Sequence, residues 1–213
     1  FVGILRLKKP SEKIIDLHNS GELKEYLPEL DICYGVEQDL RYHKDDVFQH
    51  CIKTCDYTPI NMLHVRLAGL LHDIGKIPTR QVSQVCPNCG QVYLQTDNLI
   101  HVEDEELFPY CIICNEHDLE TRISFHKHEL QSTKLANKAL TRLGFGNGLK
   151  KDTLKLISNH MYNYTTDWTN KAINKFIMNT RITLNDLEEI PSKFPLFLLR
   201  RAERLSRNLA PVT

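Results

Sequence analysis

The segment Met62 to Lys76 constrains this chain more than any other. It carries Leu63, Val65, Leu67, Ala68, Leu70 and Leu71, then closes on His72-Asp73, Gly75 and Lys76. A helix that is apolar on nearly every face belongs inside a fold. Its polar end is therefore delivered to the edge of a core, where unpartnered groups cost several kcal/mol. Two readings satisfy them. One is a capped helix end that turns into a loop. The other is a divalent metal, since imidazole with carboxylate suits Zn, Mn, Fe, Ni or Mg.

The length of 213 residues fits one domain, or one domain with a small insertion. Apolar content of 41% and charged content of 25% are those of a soluble globular protein. Lys and Arg total 27 and so do Asp and Glu, which argues against bulk electrostatic binding to nucleic acid but leaves room for a local basic patch. Nine glycines lean the chain toward helix. No long apolar run is present, so no membrane span is expected. The opening Phe1-Val2-Gly3-Ile4-Leu5-Arg6 has no methionine and is too short for a signal peptide, which leaves open whether a longer polypeptide precedes it. Of seven cysteines, Cys33, Cys51 and Cys55 are scattered and four form two Cys-x-x-Cys pairs. That pattern favours a reducing, cytoplasmic setting and metal binding over disulfides.

Helical spacing recurs through most of the chain. Ser11 is placed to cap a helix that breaks at Ser20-Gly21, a second turn follows over Glu22 to Tyr26, and Pro28 stops it. Residues 31–44 read as loop. Asp45 or Asp46 caps the next helix, which carries Val47, Phe48, Cys51, Ile52 and Cys55, with His50 on or beside that face. Asn61 is placed to cap the central helix, and Pro78 follows its end. Helices are expected again over 126–143, with Gly144 at the C′ position and Gly146-Asn147-Gly148 as loop, then over 151–163 and 170–180. Asp167-Trp168 reads as linker and Thr183-Leu184-Asn185-Asp186 as a capped short helix. The last helix runs from Phe194 to Asn208, with leucines on one face and Arg200, Arg201, Arg204 and Arg207 on a face read as solvated.

From Val82 to Glu116 the helical period vanishes. Short alternating segments such as Gln91 to Gln95 lie between Cys86-Pro87-Asn88-Cys89-Gly90 and Cys111-Ile112-Ile113-Cys114. Two such knuckles give one tetrahedral ion four thiolates, a strong signal for structural zinc, with His101 and His117 nearby but not needed. The expected fold is all-α, a helical bundle of residues 1–81 and 118–213 interrupted by a small β-rich zinc-ribbon-like module at 82–117.

His50, His128 and His160 stand with His72-Asp73 on separate expected helices, so a bundle can bring them to one centre. Four histidines and an aspartate exceed one four-coordinate site and suit two metals bridged by a carboxylate. Four unrelated histidines in a chain that has ten is the competing reading.

Local residues around each of these positions resemble the HD-domain metal-dependent phosphohydrolases, and are most similar to the HD domain of bacterial tRNA nucleotidyltransferases (CCA-adding enzymes). The resemblance runs through Leu17 to Leu30, Tyr42 to His50, Arg66 to Lys76, Phe125 to Glu129, Ile157 to Met161 and Arg200 to Leu205. It implies that His50, His72 and Asp73 hold a first metal and that His128 and His160 hold a second. His43 and Lys76 match positions near the substrate phosphate. Glu203 stands where the family has aspartate as its final ligand. No nucleotidyltransferase head is seen in these residues, so nucleotide addition is not expected of them.

The resemblance implies hydrolysis of a nucleotide or RNA-end phosphate by a phosphodiesterase, 2′,3′-cyclic phosphodiesterase or phosphatase. One or two divalent ions (Mn, Ni, Fe, Co, Mg or Zn) would serve, with Asp73, Lys76 and His43 as catalytic groups. The alternative is an accessory module for tRNA or RNA, with a metal-stabilised scaffold and no turnover of its own.

Overall fold

The computed structural model describes residues 1–94, 110–162, 169–180 and 194–208, and most of these are helical. The N-terminal part holds α1 (Val2–Leu5), α2 (Pro10–Asn19), α3 (Leu23–Tyr26) and α4 (Pro28–Asp31). Next come α5 (Val47–Asp56) and α6 (Leu63–Leu71). A 3-10 turn over Ile77–Thr79 leads into a sheet of β1 (Arg80–Val85), β2 (Val92–Leu94) and β3 (Glu120–Phe125). The chain then returns to helix in α7 (His128–Arg142), α8 (Asn147–Asn159), α9 (Asn170–Thr180) and α10 (Pro195–Ser206).

The central apolar segment behaves as its composition requires. Helix α6 is buried from Val65 to Leu71 and packs against α5, α8 and α10. Gly69 permits the close approach of α5, since a Cβ there would lie 3.1 Å from Thr58 Cγ2 and 3.4 Å from the Cys55 backbone. Arg66 sits in the same helix with no solvent exposure. Its guanidinium donates to the carbonyls of Leu5 at 2.5 Å and Leu7 at 2.6 Å, which ties the first residues into the core. A buried cation is tolerable here because those carbonyls replace the water it gave up.

Several local expectations are corrected. Pro10, not Ser11, opens α2, because its fixed φ and missing N–H suit the first helical position. Ser11 then falls inside the first turn, where its amide (3.0 Å) and hydroxyl (2.5 Å) both donate to Asp56 and join α2 to α5. Pro28 ends α3 and also begins α4. Asp46 caps α5, accepting from the Gln49 amide at 2.7 Å. Asn61 caps nothing: a turn closed by Met62 N–H on Pro59 O makes Met62 the boundary residue of α6. Helix α8 starts at Asn147, not near 151, because Gly146 takes the extended N-cap conformation and Gly148 falls in the first turn. First-turn amides lack intrahelical partners anyway, so a glycine does less harm there. The expected linker at Asp167-Trp168 and short helix at Thr183 to Asp186 lie outside the described residues, as does His101.

The sheet has the order β2-β1-β3 and is antiparallel throughout. Strand β1 pairs with β3 from Arg80↔Phe125 to Val85↔Glu120. Strand β3 lies beyond the stretch expected to be β-rich. Its alternation of Thr121, Ile123 and Phe125 with Arg122 and Ser124 is a strand pattern, but only half-buried on either face.

Candidate metal centre

Every histidine of the expected constellation reaches one point through a different element. His50 lies within α5, His72 caps the C-terminus of α6, His128 opens α7 and His160 caps the C-terminus of α8. Asp73 follows His72 and is 2% exposed. Its Oδ2 lies 3.2 Å from His72 Nε2 and 3.4 Å from His50 Nε2. Its Oδ1 lies 3.0 Å from His128 Nε2 and 3.5 Å from His160 Nε2. Each carboxylate oxygen thus faces its own pair of imidazoles. Two donors at about 2.1 Å from one ion stand about 3.0–3.4 Å apart, so the spacings suit shared coordination.

The outer ring atoms decide which nitrogen is bare. His72 Nδ1 faces Gly69 O at 2.9 Å, His128 Nδ1 faces Phe125 O at 2.9 Å and His160 Nδ1 faces Ile157 O at 2.7 Å. A carbonyl only accepts, so each of these nitrogens carries the proton. His50 Nδ1 faces Ser206 Oγ at 3.1 Å, and that hydroxyl spends its own proton on Glu203 O at 2.7 Å. Imidazoles so held turn four Nε2 atoms toward the centre, each a bare donor to a metal when its ring is neutral. Two pairs of them nearly touch, His50 with His72 at 3.2 Å and His128 with His160 at 3.1 Å. When both rings of a pair are neutral with the proton on Nδ1, lone pairs facing at that distance repel, and a cation between them removes the conflict. Outward hydrogen bonds of this kind are what fix the tautomer of metal-binding histidines.

Burial pushes the His50 ring well below its ordinary pKa, against the opposing pull of Asp73. Burial also opposes ionisation of Asp73, but His72, Lys76 and the hydrogen bonds from His128 and His160 hold it well below the carboxylate range. Lys76 Nζ lies 2.8 Å from Asp73 Oδ2 and donates to Gln38 Oε1 at 2.5 Å. Its ammonium stands 5.3 Å from the centre of the Phe125 ring. His43 packs edge-on against His50, ring centres 4.9 Å apart. Burial and Lys76 push His43 down to about 4. Its Nδ1 is buried without a hydrogen-bond partner among the described residues.

Glu203 lies 6% exposed on α10 and forms a compact group with His50 and His72. Arg200 Nη1 donates to both its oxygens, at 2.8 and 2.7 Å, and Arg207 Nη2 donates at 3.4 Å. Despite burial, Arg200 above all, with His72, His160 and Arg207, keeps it ionised. Arg200 and Arg207 are thus not on a solvated face. They help line a cavity of about 320 Å³ that opens over Asp73, Lys76, His43 and His128. Sequence reasoning missed Gln38, Phe125, Ser206 and Ser132, which orient these groups. Of these only Phe125 lies in a stretch that carries the family resemblance, where no role was given to it, and only the fold brings the four close.

Gly75 has a packing role. A Cβ there would meet Ser132 N at 2.3 Å and His128 O at 2.5 Å, and the Gly75 amide donates to Ser132 Oγ at 2.8 Å. The turn after Asp73 is therefore pressed onto the start of α7.

The four cysteines form the second group. Cys86 and Cys114 sulfurs lie 3.4 Å apart, as do those of Cys89 and Cys111. All four lie within 4.8 Å of one another and could hold a metal ion. The knuckles are built alike: the residue after each second cysteine, Gly90 and Asn115, is left-handed at φ +74° and +58°. The amides of Gly90 and Asn115 close back on Cys86 O and Cys111 O at 2.9 and 2.7 Å. The Tyr93 hydroxyl donates to Cys111 Sγ at 3.3 Å and brings that thiol down to about 6. His117 stacks near Tyr110 and is not part of this group. Among the described residues no helix is long and apolar enough to cross a membrane.

A family model described as HD domain matches residues 32–208. Multifunctional CCA proteins match shorter stretches. That of Paraburkholderia phymatum is 40% identical over 75 residues, covering 34% of this chain and 18% of the relative. That of Janthinobacterium sp. is 42% identical over 77 residues, 35% of this chain and 18% of the relative. That of Burkholderia ambifaria (strain MC40-6) is 39% identical over 105 residues, 42% of this chain and 25% of the relative. The matched part therefore spans a quarter or less of these relatives.

Proposed function

The chain belongs to the HD-domain family, and from that premise we propose that it is a metal-dependent phosphohydrolase acting on a nucleotide or RNA-end phosphate. One observation supports this above the rest: four Nε2 atoms, paired on the two oxygens of one buried carboxylate. His50, His72 and Asp73, with Glu203 beside them, would hold one divalent ion, and His128, His160 and Asp73 a second. The donor set of imidazole and carboxylate suits Mn, Ni, Fe, Co, Zn or Mg. Ions bound there supply Lewis acidity and lower the pKa of water toward 7.

The chain's own residues bind and orient. Lys76 sets a fixed positive charge at the cavity floor, with two of its directions taken by Asp73 and Gln38, to offset charge on a phosphoryl group. Arg200 and Arg207 add positive charge on the α10 wall. His43 stays neutral and keeps Nδ1 free for a substrate hydroxyl or phosphate oxygen. The Cys86, Cys89, Cys111 and Cys114 set would hold a structural zinc, closed to chemistry because all four positions are protein ligands. Likeness to Multifunctional CCA proteins supports an RNA end as substrate. Their complete activity is not carried over from a partial match.

The test is metal analysis with a hydrolysis screen on 2′,3′-cyclic nucleotides, nucleoside monophosphates and nucleotide diesters, with Mn, Ni, Co or Mg. Turnover by the wild type, lost in both His72→Ala and Asp73→Ala, is expected. No turnover with any ion would overturn the enzyme reading in favour of an RNA-binding accessory module.

A further inference from the structure

We propose that the β1–β3 ladder is a positioning strut that couples metal occupancy of the four-cysteine site to the His128–His160 half of the helical centre. The inference rests on the reading of His128 and His160 as metal ligands.

The connectivity carries it. One end of the ladder is the pair Arg80↔Phe125. On the β1 side, a single 3-10 turn over Ile77–Thr79 separates Arg80 from Lys76, and Asp73 lies three residues before Lys76. On the β3 side, only His126 and Lys127 separate Phe125 from His128. Both segments that feed the centre are thus clamped by the same strand pair. The other end of the ladder is Val85↔Glu120, and Cys86 follows Val85 directly. Six residues of antiparallel strand span about 17 Å between the two groups. A hydrogen-bonded strand pair is stiff on that scale, and a small sheet with few buried side chains draws its order from the ion that closes its far end.

The contacts at the near end are specific. The Phe125 carbonyl receives the His128 Nδ1 proton at 2.9 Å, which turns Nε2 toward Asp73. The Phe125 ring lies under Lys76. Lys127, between them, is left-handed at φ 60°, a conformation a lysine keeps only when both flanks are fixed. Ile123 of β3 shares a cavity wall with Asp39. Arg41 first, and then the Ile123 backbone amide, help hold the Asp39 carboxylate ionised. Asp39 O in turn accepts the amide of His43 at 3.0 Å. The strut therefore reaches His128, Lys76 and the loop bearing His43. Phe125 and Asp39 are positioning residues in this scheme.

The experiment uses the full chain and Mn(II) titration followed by electron paramagnetic resonance, which separates an isolated ion from a coupled pair. Four proteins are compared: wild type, Cys111→Ser/Cys114→Ser, Asp39→Ala, which leaves the cysteines intact, and Phe125→Tyr as a conservative control. Circular dichroism and thermal melts check that the helices persist. The wild type is expected to take up a coupled pair. The double-cysteine and Asp39 variants are expected to bind the first ion normally and the second about 10–100-fold more weakly, the range for groups that orient a ligand. Phe125→Tyr, which keeps ring and carbonyl, is expected to retain the pair. A coupled pair at wild-type affinity in both the double-cysteine and Asp39 variants overturns the inference alone. A wild type that binds no second ion overturns the two-metal reading and the inference with it.

Discussion

The two groups that could hold metal ions are built in opposite ways. The four cysteines come from two local knuckles whose geometry is set within five residues each, by Gly90 and Asn115 and the amide that returns to each first cysteine. The helical centre takes ligands from α5, α6, α7 and α8, spread from His50 to His160. Cys89 and Cys114 are exposed, whereas His50, His72 and His160 are at most 2% exposed. A local site can form with little core around it but depends on its ion. A site assembled by packing has its rings held mainly by the core, with the His128–His160 half also steadied through the β1–β3 ladder.

The largest effect that would sharpen this contrast is at Asp73. Asp73→Asn is expected to weaken metal uptake at the helical centre at least 100-fold, while one metal per chain stays on the cysteines; metal analysis after dialysis checks both. Loss of both metals together would break the contrast. Next is Gly75→Ala, which forces a Cβ to within 2.5 Å of backbone atoms. A cost of about 3 kcal/mol in urea unfolding is expected, as for other overpacked cores.

The thiols give a middle test. Cys33, Cys51 and Cys55 are buried, burial raises all three, and Cys55 goes up to about 12. In the cysteine cluster Tyr93 brings Cys111 down to about 6, whereas the contact with Cys86 pushes Cys114 up to about 12. Chelator-treated protein at pH 8 should therefore alkylate first at Cys111, with Cys33, Cys51 and Cys55 reacting only in denaturant. Mass spectrometry reads the sites.

Smaller still is the pH response of the metal-free bundle. His43 and His50 titrate lower in the folded chain than in the unfolded chain, His43 at about 4. The unfolded state then binds more protons below about pH 6.5, so stability falls as pH drops from there toward 4. Melting temperature should decline between pH 7 and 5, and a flat profile would contradict neutral rings at His43 and His50. The slightest effect is at Lys127: Lys127→Gly relieves a left-handed side chain and should stabilise by at most about 1 kcal/mol in urea unfolding.

This contrast also explains what could be read in the residues. Cys86-x-x-Cys89 and Cys111-x-x-Cys114 announce their site by spacing alone, since both ligands of each pair lie on one turn. The apolar run into His72-Asp73 announces a buried helix with a polar end. His50, His128 and His160 fall on separate expected helices, which lets a bundle bring them together but stands level with four unrelated histidines until the likeness to a family is added. Glu203 was legible as a departure; its ties to Arg200 and Arg207 follow helical i,i+3 and i,i+4 spacing, but the arginines were read as a solvated face and the pairing was passed over. The role of β3 was not legible either, because its half-buried alternation ends where the histidine-bearing segment begins.

Three of the four imidazoles are oriented by the carbonyl three residues before them: His72 by Gly69, His128 by Phe125 and His160 by Ile157. Ring direction is thus written into a four-residue cassette at a helix end. The bundle needs only to bring the cassettes to a common point, because each carries its own aim. A helix that slides or rolls slightly displaces a ligand without turning it away, and such a centre can absorb sequence change in its scaffold that would ruin one aimed by distant side chains.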